Sequence, residues 1–209
     1  MLGTNLIIKY GFVDKEKNLK SLKRLINRVN KIYICDGHHR IQGMIDSKKK
    51  ISPMIIAFPH NQIQILDYNR VLKSKLKIEK IFNTISKNFI IKKIRNNSKS
   101  LKKGNMEMYV NHQWYSLKQI NNNNKLDVTT LHENIISKIK INKIEFVSGI
   151  NGSTILEKLV NSKKFNIAFK LCPTNISSVM RIADKKKFMP PKSTWFHPKP
   201  LDGLICSEL

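Results

Sequence analysis

Short runs of apolar residues alternate along this chain with segments whose apolar residues recur every three or four positions. The first pattern is typical of β-strands and the second of amphipathic helices. Over 209 residues this alternation predicts one α/β domain, 1–209, with a mixed sheet, flanking helices and inserted hairpins. A tract of asparagines at 121–124 predicts a flexible connection within 119–126.

The boundaries of the predicted elements follow from these patterns and from turn and capping residues. We expect strands at 6–12, 32–34, 54–58, 62–68, 89–94, 106–110, 113–117, 144–147, 165–171 and 204–206. We expect helices at 14–29, 41–47, 78–89, 129–140, 153–161 and 177–184, with N-caps at Asp127 or Thr129, at Ser153, and at Asn175 or Ser177. Strands 54–58 and 62–68 are expected to form one hairpin, and Asn111-His112 to turn another. From residue 189 the chain is expected to be irregular up to the strand at 204–206.

The formal net charge of +25 is carried by 33 lysines against only 6 arginines. A strongly basic chain suggests a nucleic-acid partner. Here the lysines are interleaved with Asn and Ile along the whole chain, a pattern that indicates drift towards AT-rich codons more than a selected binding surface. We therefore expect only weak, salt-sensitive binding to nucleic acid.

The sequence shows no sign of export or of a membrane partner. No apolar run is long enough to span a bilayer, and the start lacks the basic and apolar regions of a secretory signal. Three cysteines, Cys35, Cys172 and Cys206, are odd in number and have no metal-type spacing. They are expected to be free, buried thiols in a reducing compartment, so the predicted location is the cytoplasm.

Residues 35–40 read Cys-Asp-Gly-His-His-Arg and follow the predicted strand at 32–34. Such a group of polar side chains is costly to bury without partners. Gly37 permits a positive φ or a close approach, and the fork of Arg40 suits phosphate. The motif predicts a phosphate-binding turn at the end of a strand. The plainer alternatives are a turn stabilised by Asp36 and a surface ion pair of Arg40.

This hexapeptide resembles the DGHHR signature of a large prokaryotic family, domain of unknown function 1015, in the ParB/sulfiredoxin-like group that includes free-serine kinases. Further blocks resemble that family in the same order, at 58–62, 65–71, 126–132, 144–149, 168–173 and 189–199. The resemblance implies a ParB/sulfiredoxin-like fold. It covers the C-terminal half of the family, so a catalytic base supplied by the N-terminal half is not expected here.

Site residues follow from the resemblance and from the chemistry of the side chains. Catalytic roles are expected for Asp36, His38 and His39, and phosphate or nucleotide binding for Gly37, Arg40, Lys192, Ser193 and Thr194. A shared cleft is expected to include His60, Asp67, Asn69 and Arg70. The implied cofactors are ATP or ADP and Mg²⁺, with Asp36 as the Mg²⁺ ligand.

Each assignment has a structural alternative. For Lys192, the alternative is an ordinary surface lysine in a loop shaped by the two preceding prolines. For Asp67, Asn69 and Arg70, the alternative is a structural turn with an internal salt bridge. Trp195 is expected in the core. The Gly-x-x-Gly at 149–152 is a weak phosphate signal, and no Walker-type loop occurs.

Three functions remain open from the sequence. The first is a nucleotide-dependent phosphotransferase acting on a small hydroxylated metabolite such as free serine. The second is a non-catalytic nucleotide-binding or structural half that pairs with a separate N-terminal subunit, which predicts an exposed apolar patch. The third is a nucleic-acid-associated ParB-like protein. A further possibility, sulfiredoxin chemistry, is the least supported. Sulfiredoxins have a cysteine directly before His-Arg, and this chain has His38 at that position.

Overall fold

A computed structural model describes residues 13–48, 53–121, 125–197 and 199 of the chain. The chain divides between Ser47 and Lys48 into two compact units. The strands predicted at 6–12 and 204–206, and most of the asparagine tract, lie outside the described residues. The expectation of one domain over 1–209 stays a prediction.

The described part of the first unit contains two helices, α1 (Glu16–Ile26) and α2 (His38–Asp46). Both helices were expected from the sequence. The strand expected at 32–34 is wrong, because this segment has no strand partner among the described residues. Ile32 is 69% exposed, so its apolar character does not reflect burial in a sheet.

The second unit alternates strands with helices, as expected. Its elements are β1 (Gln64–Leu66), β2 (Tyr68–Ser74), α3 (Ile78–Ser86), β3 (Phe89–Ile94), β4 (Asn105–Val110), β5 (Gln113–Gln119), α4 (Asp127–Asn134), β6 (Ile141–Ser148), α5 (Thr154–Asn161), β7 (Ile167–Lys170), α6 (Ile176–Asp184) and β8 (Trp195–His197). Short 3-10 turns occur at His60–Gln62, Ile136–Lys138 and Gly149–Asn151.

The main sheet has six strands in the order β3-β5-β4-β7-β2-β6. Every strand pair in the described part of the chain is antiparallel, so the predicted mixed sheet is corrected to an antiparallel one. Intervening helices had suggested parallel neighbours. Instead α5 joins β6 to β7, and these two strands lie on either side of β2.

The expected hairpin of 54–58 with 62–68 is also wrong. Residues 54–58 form no strand, and Ile55 is 66% exposed. β1 pairs with β8, in the segment expected to be irregular, through the pairs Gln64–His197, Ile65–Phe196 and Leu66–Trp195.

The predicted helix caps had mixed outcomes. Asn175 caps α6 by accepting from the Ser178 N–H at 2.8 Å. Ser153 occupies the N-cap of α5, but its hydroxyl donates to Asn97 Oδ1 and not to the helix. Neither candidate caps α4, whose N-cap is Leu126.

Each face of the six-stranded sheet carries a hydrophobic core. The α3/α4 face is defined by Leu72, Met106, Met108, Leu117 and Phe169, which pack with buried residues of α3 and α4. The α5 face is defined by Val71, Tyr109, Trp114, Val147 and Ala168, which pack with Leu156 and Val160 of α5. Because successive side chains of a strand point to opposite faces, each residue of the sheet faces either the α3/α4 core or the α5 core.

None of the helices in the described ranges is long and apolar enough to cross a membrane.

Candidate functional site

The predicted phosphate-binding motif forms the start of α2 in the first unit. Gly37 is the N-cap residue with φ 80°, a left-handed conformation that favours glycine. Its N–H donates to Asp36 Oδ1 at 3.0 Å. A Cβ added to Gly37 would lie 3.4 Å from Arg40 Nε and 3.5 Å from Nη2, so the guanidinium folds back over the glycine.

His38, His39 and Arg40 form the first turn of α2, and all three are exposed. The first N–H groups of a helix have no partner within it, and this turn contains no acidic side chain. It can therefore offer backbone N–H groups and one guanidinium to an anion. Cys35 precedes the turn, and burial, followed by the charge of Asp36, raises the pKa of its thiol. The thiolate that sulfiredoxin chemistry requires is thus disfavoured.

Arg70 is the most deeply buried cation of the predicted site, with 5% of its surface exposed. Its Nη1 donates to the carbonyl oxygens of Tyr68 and Asn69, and its Nη2 donates to the Lys192 carbonyl at 2.7 Å. The guanidinium carbon lies 4.4 Å from the ring centroid of Phe146. These contacts fix the guanidinium between strand β2 and the loop that leads to β8.

The charge of Arg70 has no carboxylate partner among the described residues. Burial lowers its pKa to about 10, and the Tyr68 hydroxyl raises it by a smaller amount. The internal salt bridge considered for Asp67 and Arg70 is therefore absent from the described part of the chain.

Asp67 and Asn69 belong to a separate hydrogen-bonded turn. Asn69 is 1% exposed; its Nδ2 donates to Asp67 Oδ2, and its Oδ1 accepts from the Leu171 N–H at 3.0 Å. The Gly149 N–H donates to the Asp67 carbonyl at 2.8 Å. A Cβ on Gly149 would lie only 1.8 Å from Asp67 Oδ1. Glycine at position 149 therefore leaves room for the Asp67 carboxylate. In the sequence, the Gly-x-x-Gly at 149–152 was only a weak signal for phosphate binding.

The predicted Lys-Ser-Thr loop contacts Arg70 through its backbone. Lys192 is exposed with φ 54°, and its Nζ lies 6.0 Å from the Tyr68 ring centroid. Ser193 is 4% exposed, and its hydroxyl donates to Pro190 O at 2.7 Å. The Ser193 hydroxyl thus stabilises the loop, and the exposed side chain of Lys192 can present its ammonium group to a ligand. Thr194 is half-buried next to β8.

The rings of Tyr68 and Phe146 lie next to these cations, and the ring of Trp195 contacts Tyr68. Tyr68 contacts Phe146 and Trp195 edge to face, with centroids 6.2 Å and 5.7 Å away. We call Tyr68, Arg70, Phe146, Lys192 and Trp195 the Arg70 cluster. Of its aromatic members, Trp195 was expected in the core, and Tyr68 and Phe146 were not assigned to a site. An aromatic residue nevertheless lies within three positions of each cation, in Tyr68-Asn69-Arg70 and in 192–195.

The remaining predicted residue, His60, is exposed at the first position of a 3-10 turn. Within the described ranges no hydrogen bond or ring contact joins it to the Arg70 cluster. The same ranges contain no group of three or more His, Cys, Asp or Glu that could hold a metal ion.

Comparison with known proteins gives a family and a fold. Residues 8–139 match the model of a family described as protein of unknown function, DUF1015. No curated protein matches. A conserved hypothetical protein from Pyrococcus furiosus is similar in structure, with a TM-score of 0.50 and 16% identity over 82% of this chain and 72% of that one.

A free serine kinase in complex with AMP is similar at a TM-score of 0.51 and 14% identity, over 88% of this chain and 81% of that one. A mutant of a free serine kinase, also with AMP, gives a TM-score of 0.51 at 15% identity, with the same coverage of 88% and 81%. At these identities the likeness shows the fold alone.

Proposed function

This chain belongs to the DUF1015 family, and we propose that it is a nucleotide-dependent phosphotransferase acting on a small hydroxylated metabolite such as free serine. The observation that carries this proposal is Arg70, a buried guanidinium held by backbone carbonyls with no carboxylate partner in the described residues. The structurally similar kinase binds AMP, which supports a nucleotide as the ligand.

Burying a cation without an opposite charge costs free energy that a bound anion can recover. Arg70 has five N–H donors, and three hydrogen bonds to carbonyl oxygens leave some of them for a ligand. Because its position is fixed before binding, little side-chain entropy is lost when a phosphate arrives. Phosphoryl transfer depends mainly on such positioning and charge neutralisation.

The other members of the Arg70 cluster suit the remaining parts of a nucleotide. The exposed ammonium of Lys192 can approach a second phosphate oxygen. The rings of Tyr68, Phe146 and Trp195 offer flat apolar surfaces to a base. The cluster thus combines anion binding with stacking.

In this proposal the motif at 36–40 of the first unit binds phosphate in its own right. Arg40 and the N–H groups at the start of α2 bind phosphate oxygens, and His38 or His39 donates to them. Mg²⁺ commonly binds one or two carboxylates together with substrate phosphates and water. The single carboxylate of Asp36 fits that pattern as the protein's ligand to Mg²⁺, with ATP or ADP supplying the phosphates.

Calorimetric titration with ATP and ADP in the presence of Mg²⁺ tests the nucleotide site. Arg70→Lys keeps the charge but loses the planar fork, and we expect it to weaken binding by about tenfold or more. Arg40→Ala should also weaken binding. Arg181→Ala, which removes an exposed arginine from α6, should leave the affinity unchanged.

The chemical step is tested by incubating the chain with free serine and each nucleotide and detecting the phosphorylated product. Failure of the native chain to bind either nucleotide would overturn the proposal. Equal affinity of the native and Arg70→Lys chains would remove Arg70 from the site, provided that both chains melt at similar temperatures.

A second candidate function is supported by the surface of α1. Leu22, Leu25 and Ile26 of this helix are exposed by 43%, 60% and 53%. Exposed apolar side chains of this kind support pairing with a separate N-terminal subunit. Sedimentation of the chain mixed with the N-terminal half of a longer family member tests it. We expect a complex that Leu25→Lys abolishes, and two unassociated species would contradict it.

A further inference from the structure

The α5 face of the sheet contains a cavity of about 330 Å³ at the end that α5 does not cover. Two rows of cross-strand neighbours form its floor: Lys92, Ser116 and Glu107 in one, and Ile90, Lys118 and Asn105 in the other. The loop between β3 and β4 forms the rest of the wall through Ser98, Ser100, Leu101 and Lys102.

Hydrogen bonds, most of them partly buried, hold this loop in place. Glu107, which is 1% exposed, accepts through Oε1 from the Ser98 N–H at 2.9 Å and from the Ser98 hydroxyl at 2.5 Å. Lys170 Nζ donates to Asn97 Oδ1 at 3.1 Å and to the Ser98 carbonyl. The Ser153 hydroxyl donates to the same Asn97 oxygen at 2.8 Å. The cavity wall is therefore fixed and does not depend on a ligand to form it.

The charge of the cavity is strongly positive. Lys92, Lys102 and Lys118 line it, and none of them has an ion pair within the described residues. Glu107, the only carboxylate among the described lining residues, lies 3.9 Å from Lys170 Nζ and is compensated by it. All three side chains are exposed, so water and salt screen their mutual repulsion, and an anion between them would be attracted by all three.

Serine hydroxyls add neutral hydrogen-bonding groups to the wall. Ser100 and Ser116 line the cavity and can bond the hydroxyl groups of a ligand. Oε2 of Glu107 is buried and faces the Lys170 ammonium at 3.9 Å, so a ligand does not reach it.

We propose that this cavity binds a small phosphomonoester that also carries hydroxyl groups, with the phosphate between Lys92, Lys102 and Lys118 and the hydroxyls bonded to Ser100 and Ser116. A phosphomonoester carries about two negative charges at neutral pH, which suits three lysines. The volume matches the lower end of small-molecule sites, roughly 300–1,000 Å³. A nucleic-acid strand would need a longer basic groove with stacking rings, and the lining contains no aromatic residue.

This site is separate from the Arg70 cluster. Arg70 pairs in register with Phe169, on the α3/α4 face, whereas Glu107 pairs with Lys170 on the α5 face. The proposal therefore does not rest on the nucleotide site, and each can fail without the other.

The experiment is a titration of the native chain with ribose 5-phosphate, inorganic phosphate and ribose, followed by amide NMR shifts at about 0.15 M ionic strength. We expect ribose 5-phosphate to bind more tightly than phosphate, ribose not to bind, and the shifts to lie at 90–92, 98–107 and 116–118. The double change Lys92→Ala with Lys118→Ala should weaken ribose 5-phosphate binding by about tenfold or more.

Lys80→Ala with Lys87→Ala is the matched control, because it removes the same charge from exposed positions of α3 and its C-cap. It should leave ribose 5-phosphate binding unchanged. Ser100→Ala with Ser116→Ala should weaken ribose 5-phosphate binding but not inorganic phosphate binding. Neither test variant changes Glu107 or its hydrogen bonds to the loop, so the test does not depend on those contacts.

Absence of ribose 5-phosphate binding to the native chain would overturn the proposal, as would equal losses in the two lysine double variants. A single-stranded oligonucleotide that shifts the same residues, in a chain that does not bind ribose 5-phosphate, would assign the cavity to nucleic acid instead.

Discussion

At the scale of single residues, the carboxylate of Asp67 lies so close to Gly149 that a side chain at position 149 does not fit. The hydrogen bond from Asn69 holds this carboxylate, and Asn69 in turn bonds the N–H of Leu171. A methyl group on Gly149 would therefore disturb a connected set of buried polar groups next to Arg70. This requirement comes from packing, because Gly149 is not among the residues with positive φ.

We predict that Gly149→Ala lowers the free energy of unfolding of the second unit by roughly 1–3 kcal/mol, because the new Cβ would lie 1.8 Å from Asp67 Oδ1. Chemical denaturation followed by the fluorescence of Trp114 and Trp195 measures it. Gly43→Ala is the control, since an added Cβ meets nothing within 4 Å there, and it should not lower that stability. The loss should shrink in an Asp67→Ala background, and equal losses in both backgrounds would contradict the contact.

A second prediction concerns Cys172, whose thiol donates to the Leu101 carbonyl at 3.1 Å. Burial, with smaller contributions from Asp127 and Asp67, raises the pKa of this thiol from 9.0 to about 11. Its thiolate fraction at about pH 8 should then be roughly 100-fold lower than in the unfolded chain. Iodoacetamide labelling read by peptide mass spectrometry should be slower by a similar factor, and native labelling at the unfolded rate would contradict this.

The same shift fixes the sign of a pH effect. Between pH 9.0 and about pH 11 the native state keeps a thiol proton that the unfolded chain has lost. The stability that this provides is complete below pH 9.0 and is lost as the pH rises through about 11. Cys172→Ala should remove this component of the pH dependence of unfolding.

The polar residues of the candidate site were predicted from the sequence, but which of them contact one another was not. Asp67, Asn69, Arg70, Lys192 and Ser193 were named from the family resemblance and from the chemistry of their side chains. That Arg70 contacts the Lys192 backbone, while Asp67 contacts Gly149, depends on strand pairing between distant segments. No local pattern contains that information.

At the scale of elements, the turn between β4 and β5 was predicted correctly because its signal is local. Asn111 and His112 have φ 47° and 59°, the left-handed pair that a two-residue hairpin turn requires. Asparagine tolerates this conformation, whereas histidine is less suited to it than glycine.

We predict that His112→Gly stabilises the chain by about 0.5–1 kcal/mol, because Asn-Gly is a favoured pair for this turn. His132→Gly, in the last turn of α4, should instead destabilise it by up to about 1 kcal/mol. Thermal unfolding of both variants measures the two signs. A loss of stability in His112→Gly would show that the His112 side chain contributes more than its strained backbone costs.

Strands that pair with distant partners were predicted less well than the β4–β5 hairpin. The apolar runs at 32–34 and 54–58 resemble buried strands, yet Ile32 and Ile55 are largely exposed and neither run pairs with a described strand. Conversely, β8 is short and follows a proline-rich segment, and its pairing with β1 has no local signal. Apolar composition predicts burial only where the fold supplies a neighbour.

At the scale of the whole molecule, a net charge of +25 makes every phosphate interaction depend on ionic strength. The lysines are distributed along the chain and most have no described ion pair, so a polyanion can bind many alternative surfaces weakly. A defined site should behave differently, because a buried group such as Arg70 is screened much less than an exposed lysine. The salt dependence of binding can therefore distinguish non-specific binding to exposed lysines from binding at a defined site.

We predict that the chain binds duplex DNA at about 0.05 M salt and loses most of that affinity, roughly 10³-fold or more, at about 0.2 M. Nucleotide binding at the Arg70 cluster should weaken far less over the same range, because its contacts are few and partly buried. Fluorescence anisotropy with labelled DNA, beside calorimetry with ATP, measures both slopes. Arg70→Lys should leave the DNA slope unchanged because it keeps the charge. Tight DNA binding that persists at about 0.2 M salt and depends on sequence would instead favour the nucleic-acid-associated function, because release of counterions alone cannot produce it.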